Sequence, residues 1–320
     1  MRKIHVHCLE PDDRMAADHA LFLKECAQSA LGDNSVVDNP KDADTILLVP
    51  AFRQMFHWYG RHLLNDPVVM RHLDRCFVLE SSDGPADYLR GCYVSMPYSK
   101  YCPSRQRAIG FLYAGDTQDR GLQMTKPIRL FCFRGAPSHP VRRELVKRFA
   151  TNHDGTAALM DRWMNYSDGE QRVYWEEFGA SKFILCPRGL GSSTIRVQEA
   201  MQAGRVPVII AIDWVAPTGP AWEEFSLRVP EGLVSDIPAL LAAREGDAAE
   251  MGRLARAEWE RYYEPRKAFV RWLLSLIDEI GTPGWTPEKE IRRWSSPSFR
   301  WSEGFDPTHR VLRRARAQLP

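Results

Sequence analysis

The chain has 320 residues, 44% of them hydrophobic and 26% charged, with a formal net charge of +2. Such a chain can bury a sizeable core, which excludes disorder along its whole length. The near balance of charge excludes a protein built to grip a nucleic-acid backbone, which carries a clustered cationic excess. At roughly 100–200 residues per domain, the length predicts about two domains.

Seven cysteines occur, Cys8, Cys26, Cys76, Cys92, Cys102, Cys132 and Cys186. The number is odd and no pair is spaced C-x-x-C, so buried, reduced thiols are expected, with neither a disulfide framework nor a zinc site. The first residues turn polar too soon for a signal peptide. No apolar run is long enough to span a bilayer. Together these features predict a cytoplasmic protein.

In chain order, Lys3–Cys8 alternates as a strand, Asp18–Ala30 is periodic as a helix, and Thr45–Val49 and Cys76–Glu80 are buried strands. Tyr93–Met96 is a short further candidate. Residues 98–127 are rich in Gly, Pro, Asp and Gln and mark a boundary. A second alternation follows. It has a strand at Ile128–Phe133, a helix at Pro140–Thr151, a strand at Lys182–Cys186 and a helix at Thr194–Ala203 closed by Gly204. Then come a strand at Val206–Ile210 and helices at Pro238–Ala243, Met251–Tyr263 and Lys267–Ile280. Strands alternating with helices predict an α/β chain with parallel sheets. The domain reading is 1–125, 126–265, and a C-terminal helix with a basic tail over 266–320.

The informative stretch is Ser181–Asp213. A strand ends at Pro187, and Gly189 and Gly191 make a loop whose backbone can approach a ligand closely. Ser192, Ser193 and Thr194 bring hydroxyls to a helix start, an electropositive place that suits phosphate. Arg188 and Arg196 add fork-shaped donors matched to a diphosphate. Glu199 lies three residues beyond Arg196 on a neighbouring part of the helix face, where it can pair with that arginine or accept from a ribose. The loop lacks Gly-Lys-Ser/Thr, which argues against a P-loop phosphotransferase.

This run resembles the exostosin-type glycosyltransferase family, in a short form. The resemblance rests on Cys186-Pro187-Arg188-Gly189, then Thr194-Ile195-Arg196-Val197-Gln198-Glu199, then Gly204-Arg205-Val206-Pro207-Val208-Ile209-Ile210 and Asp213. Thr194 stands where the family more often has Ser. Weaker likenesses lie at Asn39–Pro50, Phe133-Arg134-Gly135 and Trp222–Phe225. The resemblance implies a GT-B fold, with two Rossmann-like lobes whose parallel sheets face a cleft. It further implies a nucleotide-sugar donor, often UDP-linked, on the C-terminal lobe, and a glycan acceptor on the N-terminal lobe. Transfer would be inverting and metal-independent, with no cofactor. The contrasting reading is a non-catalytic nucleotide-sugar or glycan-binding partner in a polysaccharide biosynthesis complex.

Other residues keep two readings each. Arg134 is a phosphate contact or a salt bridge. Asp213, with Trp214, contacts the donor or shapes a loop. Asp83 is a turn residue or the base that takes the acceptor proton. Asp42-Ala43-Asp44 precedes a strand, so a solvated strand entry is preferred to a metal triplet. His5 and His7 share a strand face and read as a buried, hydrogen-bonded pair, since no third ligand is visible. His57 sits in an aromatic run fit for sugar stacking or for a helix surface. The Arg-rich tail, including Arg292, Arg293, Arg300 and Arg310, is a solvated arm or a contact to an anionic membrane.

Overall fold

A computed structural model describes residues 2–50, 63–112, 126–161, 167–280 and 284–302. The chain divides into two units. One comprises Met1–Met96, Lys100–Ile109 and Val270–Pro320, and the other Pro97–Ser99 and Gly110–Phe269.

The first unit carries β1 (Ile4–Cys8), α1 (Arg14–Leu31), β2 (Thr45–Val49), α2 (Pro67–His72), β3 (Cys76–Glu80), β4 (Gly91–Tyr93) and β5 (Gln106–Ala108). Its strands are parallel and lie in sequence order. Asp13 caps α1 and Asp66 caps α2, each accepting a backbone N–H of the first turn. α1 begins four residues before the start read from periodicity, because Asp13 is its cap. β4 lies earlier than the Tyr93–Met96 strand expected. A Cβ at Gly91 would fall 2.2 Å from the Val78 carbonyl oxygen, so glycine is what lets β4 press against β3.

The second unit carries β6 (Arg129–Gly135), α3 (Pro140–Phe149), β7 (Gly155–Leu159), α4 (Asp168–Ala180), β8 (Ser181–Pro187), α5 (Arg196–Gln202) and β9 (Val206–Ile210). α6 (Trp222–Phe225), β10 (Leu227–Arg228), α7 (Ile237–Ala242) and α8 (Ala248–Glu258) complete it. Its sheet is parallel with order β10-β9-β8-β6-β7. Phe131, Phe133, Phe183, Leu185, Val206 and Val208 bury one face of it against Leu145 and Phe149 of α3, Leu241 of α7 and Met251 of α8. α5 ends as expected at Gly204, whose φ of 62° suits a glycine. α8 packs so closely there that a Cβ at Gly252 would lie 2.4 Å from the Gly204 carbonyl oxygen. Two parallel sheets, one in each unit, give the α/β class expected. All seven cysteines are free, and five of them are buried. Among the described residues, no helix is long and apolar enough to cross a membrane.

From Val270 the chain returns to the first unit through α9 (Val270–Asp278), α10 (Pro287–Ser295) and α11 (Pro297–Ser302). The units thus divide at 109/110 and 269/270, where the sequence reading placed 125/126 and 265/266. α10 is bound to the first unit through Glu290. That buried carboxylate accepts two bonds at 2.8 Å from Arg105, others from Arg293, and the indole N–H groups of Trp285 and Trp294. Burial alone would raise its pKa, but Arg105 and Arg293 hold it below the ordinary range. Arg293 also reaches Asp87, so this arginine of the expected solvated arm is turned inward. Residues 303–320 of that arm lie outside the described residues.

Glu290→Ala leaves two guanidinium groups facing a buried gap. Breaking such a cluster costs about 3–5 kcal/mol, to be read as a lower urea midpoint. A change under about 1 kcal/mol, typical of an exposed pair, would contradict the clasp.

Candidate functional site

In a parallel α/β sheet, ligands bind beyond the carboxyl ends of the strands where the strand order reverses. In the second unit that point is β6. It pairs with β7 on one side and β8 on the other, so the loops after β6 and β8 are where this rule puts a ligand crevice. The first loop, Ala136 to His139, leads into α3. The second, Arg188 to Ile195, leads into α5.

Arg142, in the first turn of α3, ties the two loops together. Its Nε donates to the Arg188 carbonyl at 2.9 Å, and its Nη atoms donate to the Ala136 and Pro187 carbonyls at 3.2 Å. A Cβ on Gly189 would come within 3.1 Å of an Arg142 nitrogen, so glycine seats the second loop on this tie. The Arg188 backbone N–H donates to Ile210, fixing the start of its loop. Its guanidinium behaves differently. Nε is buried without a hydrogen-bond partner among the described residues. Its ion-pair partner, Glu231, stands 4.0 Å away. Glu231 also accepts the Ile212 N–H at 3.1 Å, which brings the loop after β9 to the same crevice.

His139 caps α3, its Nδ1 accepting the Val141 N–H at 3.3 Å. Burial, followed by Arg188, lowers its pKa from the ordinary 6.5. Arg142 and Arg143 add to this, and Glu231 opposes it. Sequence reading missed both His139 and Arg142. A local signal marked His139 as a helix cap, a strand ending at Gly135 and then a polar residue before Pro140 at the first helical position, whereas the role of Arg142 depends on the distant Pro187 and Arg188 carbonyls.

The residues that were expected to hold phosphate divide into two layers. Arg188, Gly189 and Gly191 are in the crevice loop. Ser192, Ser193 and Thr194 are buried. α5 starts at Arg196, two residues later than expected, and no side chain caps it. Arg196 lies beneath the loop, 7% exposed. It donates to the Arg134 carbonyl at 2.7 Å and lies 5.2 Å from the Phe133 ring centroid. A Cβ on Gly135 would meet Arg196 at 2.6 Å. Glu199 accepts the Tyr174 hydroxyl at 2.5 Å. Burial and this carboxylate push the Tyr174 phenol well above its ordinary range. Arg134 makes a two-pronged ion pair with Glu177 at 2.8 and 2.7 Å, the salt-bridge alternative of its two readings.

Asp213 is half-buried, and its carbonyl accepts the Tyr98 N–H at 3.0 Å. Trp214 is buried edge-on against Trp222, which shapes the loop after β9. In the first unit, Asp83 is half-buried, three residues past β3. His5 and His7 stack with ring centroids 6.0 Å apart. His5 bonds the Val37 carbonyl and His7 bonds Asp66, so the pair is hydrogen-bonded as expected but half-buried rather than buried, since it lies on the edge strand β1. Asp44 accepts the Lys3 N–H as part of the strand entry. His57 lies outside the described residues. Among the described residues, no group of three His, Cys, Asp or Glu side chains is placed to hold a metal ion.

The Exostosin GT47 domain model matches residues 68–243, more than half of the chain. Human Exostosin-2 is 27% identical over 184 residues, covering 53% of this chain and 25% of that protein. A probable glycosyltransferase of Arabidopsis thaliana is 34% identical over 119 residues, covering 33% of this chain and 22% of its own. The chain thus spans about a quarter of the length of these curated relatives. Among solved structures, an α1,3-fucosyltransferase with GDP-fucose aligns with 87% of this chain and 90% of its own, at 13% identity and a TM-score of 0.42. The chain belongs to the exostosin GT47 family.

Two predictions follow from the layered geometry. Arg196→Ala should lower stability by about 1.5–3 kcal/mol through the lost carbonyl bond, read in a denaturant titration; unchanged stability would show that Arg196 does not hold the β6 end. The second concerns pH. Below the ordinary 6.5 the unfolded chain takes up a proton at His139 while the folded chain remains neutral. That contribution is therefore present above about 6.5 and is lost as pH falls toward the lowered folded value. His5 and His72 shift in the same direction. The melting temperature should fall on acidification, and His139→Asn should make the fall shallower. An identical slope in the variant would contradict this.

Proposed function

We propose, with membership of the exostosin GT47 family as the premise, that this chain is a glycosyltransferase. It moves a sugar from a nucleotide donor, UDP-linked, to a glycan acceptor, and the donor diphosphate occupies the crevice between the ends of β6 and β8. The observation that carries this reading is the Arg188 guanidinium. It is held at a strand-order reversal with a buried Nε that has no hydrogen-bond partner among the described residues and an ion pair stretched to 4.0 Å. A cation kept short of partners in such a place suits an anionic ligand.

The chemistry needs what the crevice offers. As the bond from the anomeric carbon to the β-phosphate oxygen breaks, negative charge grows on the diphosphate. Arg188 and the backbone N–H groups near Gly189 and Gly191 can offset it. Inversion needs one base and no covalent intermediate, and Asp83 is the candidate. Arg134, Arg196 and Glu199 form the layer beneath the loop. Glu199 would read the ribose by exchanging its Tyr174 bond for the sugar hydroxyls. Because arginine carries the leaving charge in this reading, turnover is expected to survive chelation.

A panel of nucleotide sugars, with and without glycan acceptors, tests the reading through nucleotide diphosphate release. UDP release that depends on the sugar donor and persists in EDTA supports it. Tight UDP binding without turnover would favour the non-catalytic partner instead. Arg188→Ala should weaken UDP binding about ten- to a hundredfold at unchanged melting temperature. Wild-type UDP affinity in that variant would remove Arg188 from the site.

A further inference from the structure

His139 closes the loop after β6. Its Nδ1 accepts the Val141 N–H, and a ring nitrogen that accepts carries no proton. The proton of the neutral ring is therefore on Nε2, which is left as a donor. Among the described residues, the cap is the only hydrogen bond of the ring. The charged groups that act on it are Arg188 from the loop after β8, Arg142 and Arg143 from α3, and Glu231 after β10. The three arginines oppose a second proton. Protonation would also cost α3 its capping acceptor. The ring is thus kept neutral, with one N–H of fixed identity in the field of Arg188.

We propose that His139 reads the β-phosphate of the bound nucleotide, its Nε2–H donating to a phosphate oxygen, so that this residue helps the protein distinguish a nucleoside diphosphate from a monophosphate. This rests on the donor-site reading given above. A second observation points the same way: the buried Arg188 Nε in the same crevice also lacks a partner among the described residues. A neutral donor suits the task. Its bond strengthens as charge accumulates on the leaving diphosphate, and no proton has to move.

The test is calorimetric titration of the full chain with UDP and with UMP. Wild type should prefer UDP. His139→Asn keeps an oxygen that can cap α3 but withdraws the Nε2–H. Its preference for UDP should shrink about ten- to a hundredfold, with UMP affinity and melting temperature held. His139→Ala removes cap and donor together and should lower the melting temperature as well. If His139→Asn keeps the wild-type preference, or loses UDP and UMP affinity alike, the inference is overturned while the donor site stands. If wild type itself does not prefer UDP to UMP, the donor-site reading falls and takes this one with it.

Discussion

The second unit depends on one interaction, the Arg142 guanidinium bound to the carbonyls of Ala136, Pro187 and Arg188. A sheet whose order reverses at β6 sends two loops apart, and their strand-end carbonyls need donors once buried. Arginine meets that need because its planar fork reaches three acceptors at once. A lysine ammonium offers a single compact charge and no such fork. With the loops tied, Gly189 is pressed against the tie, Arg188 is carried to the crevice, and His139 caps the helix that supplies Arg142. The place of the crevice thus follows from strand order, and Arg142 ties together the loops at its edge.

The charged residues near it separate by how completely they are partnered. Arg134 is matched by Glu177 and Glu199 by Tyr174, whereas Arg196 donates to the Arg134 carbonyl yet keeps a buried Nε with no hydrogen-bond partner among the described residues. These groups are held by the lobe itself, and Glu199 would reach a ligand only by giving up its Tyr174 bond. Arg188 likewise keeps a buried Nε without a partner, and the His139 Nε2–H, on a half-buried ring, makes no hydrogen bond among the described residues. Burial strengthens electrostatic interactions and makes an unmet polar group costly. The donor-site reading puts the ligand against Arg188, whose ion pair with Glu231 is stretched to 4.0 Å. A sequence motif that contains both kinds reads as a single binding site, although only part of it reaches the ligand.

Legibility followed from side-chain pattern. β2 and β9, as TILLV and VPVII, were read at their observed limits because continuous apolar runs mark strands buried on both faces. β5 was missed because it is three residues long and includes Gln106 and Arg107. β7, GTAAL, was missed because Gly and Ala carry little strand signal. α4 did carry a signal that went unread, the capping box of Ser167 and Glu170. At the site, the Gly-Ser loop and its arginines were legible from residue type and spacing. Which arginine is buried was not, because that depends on Gly135, sixty-odd positions away, leaving room for Arg196. Arg142 was hidden for the same reason, since its role comes from β8 lying beside β6.

The central claim is that a nucleotide diphosphate sits on the second sheet between the ends of β6 and β8. A crystal structure with UDP bound tests it most directly. The account predicts phosphate oxygens within hydrogen-bonding distance of the Arg188 guanidinium, over the loops that Arg142 ties together. Diphosphate bound away from those loops, with Arg188 still facing Glu231 alone, would contradict it.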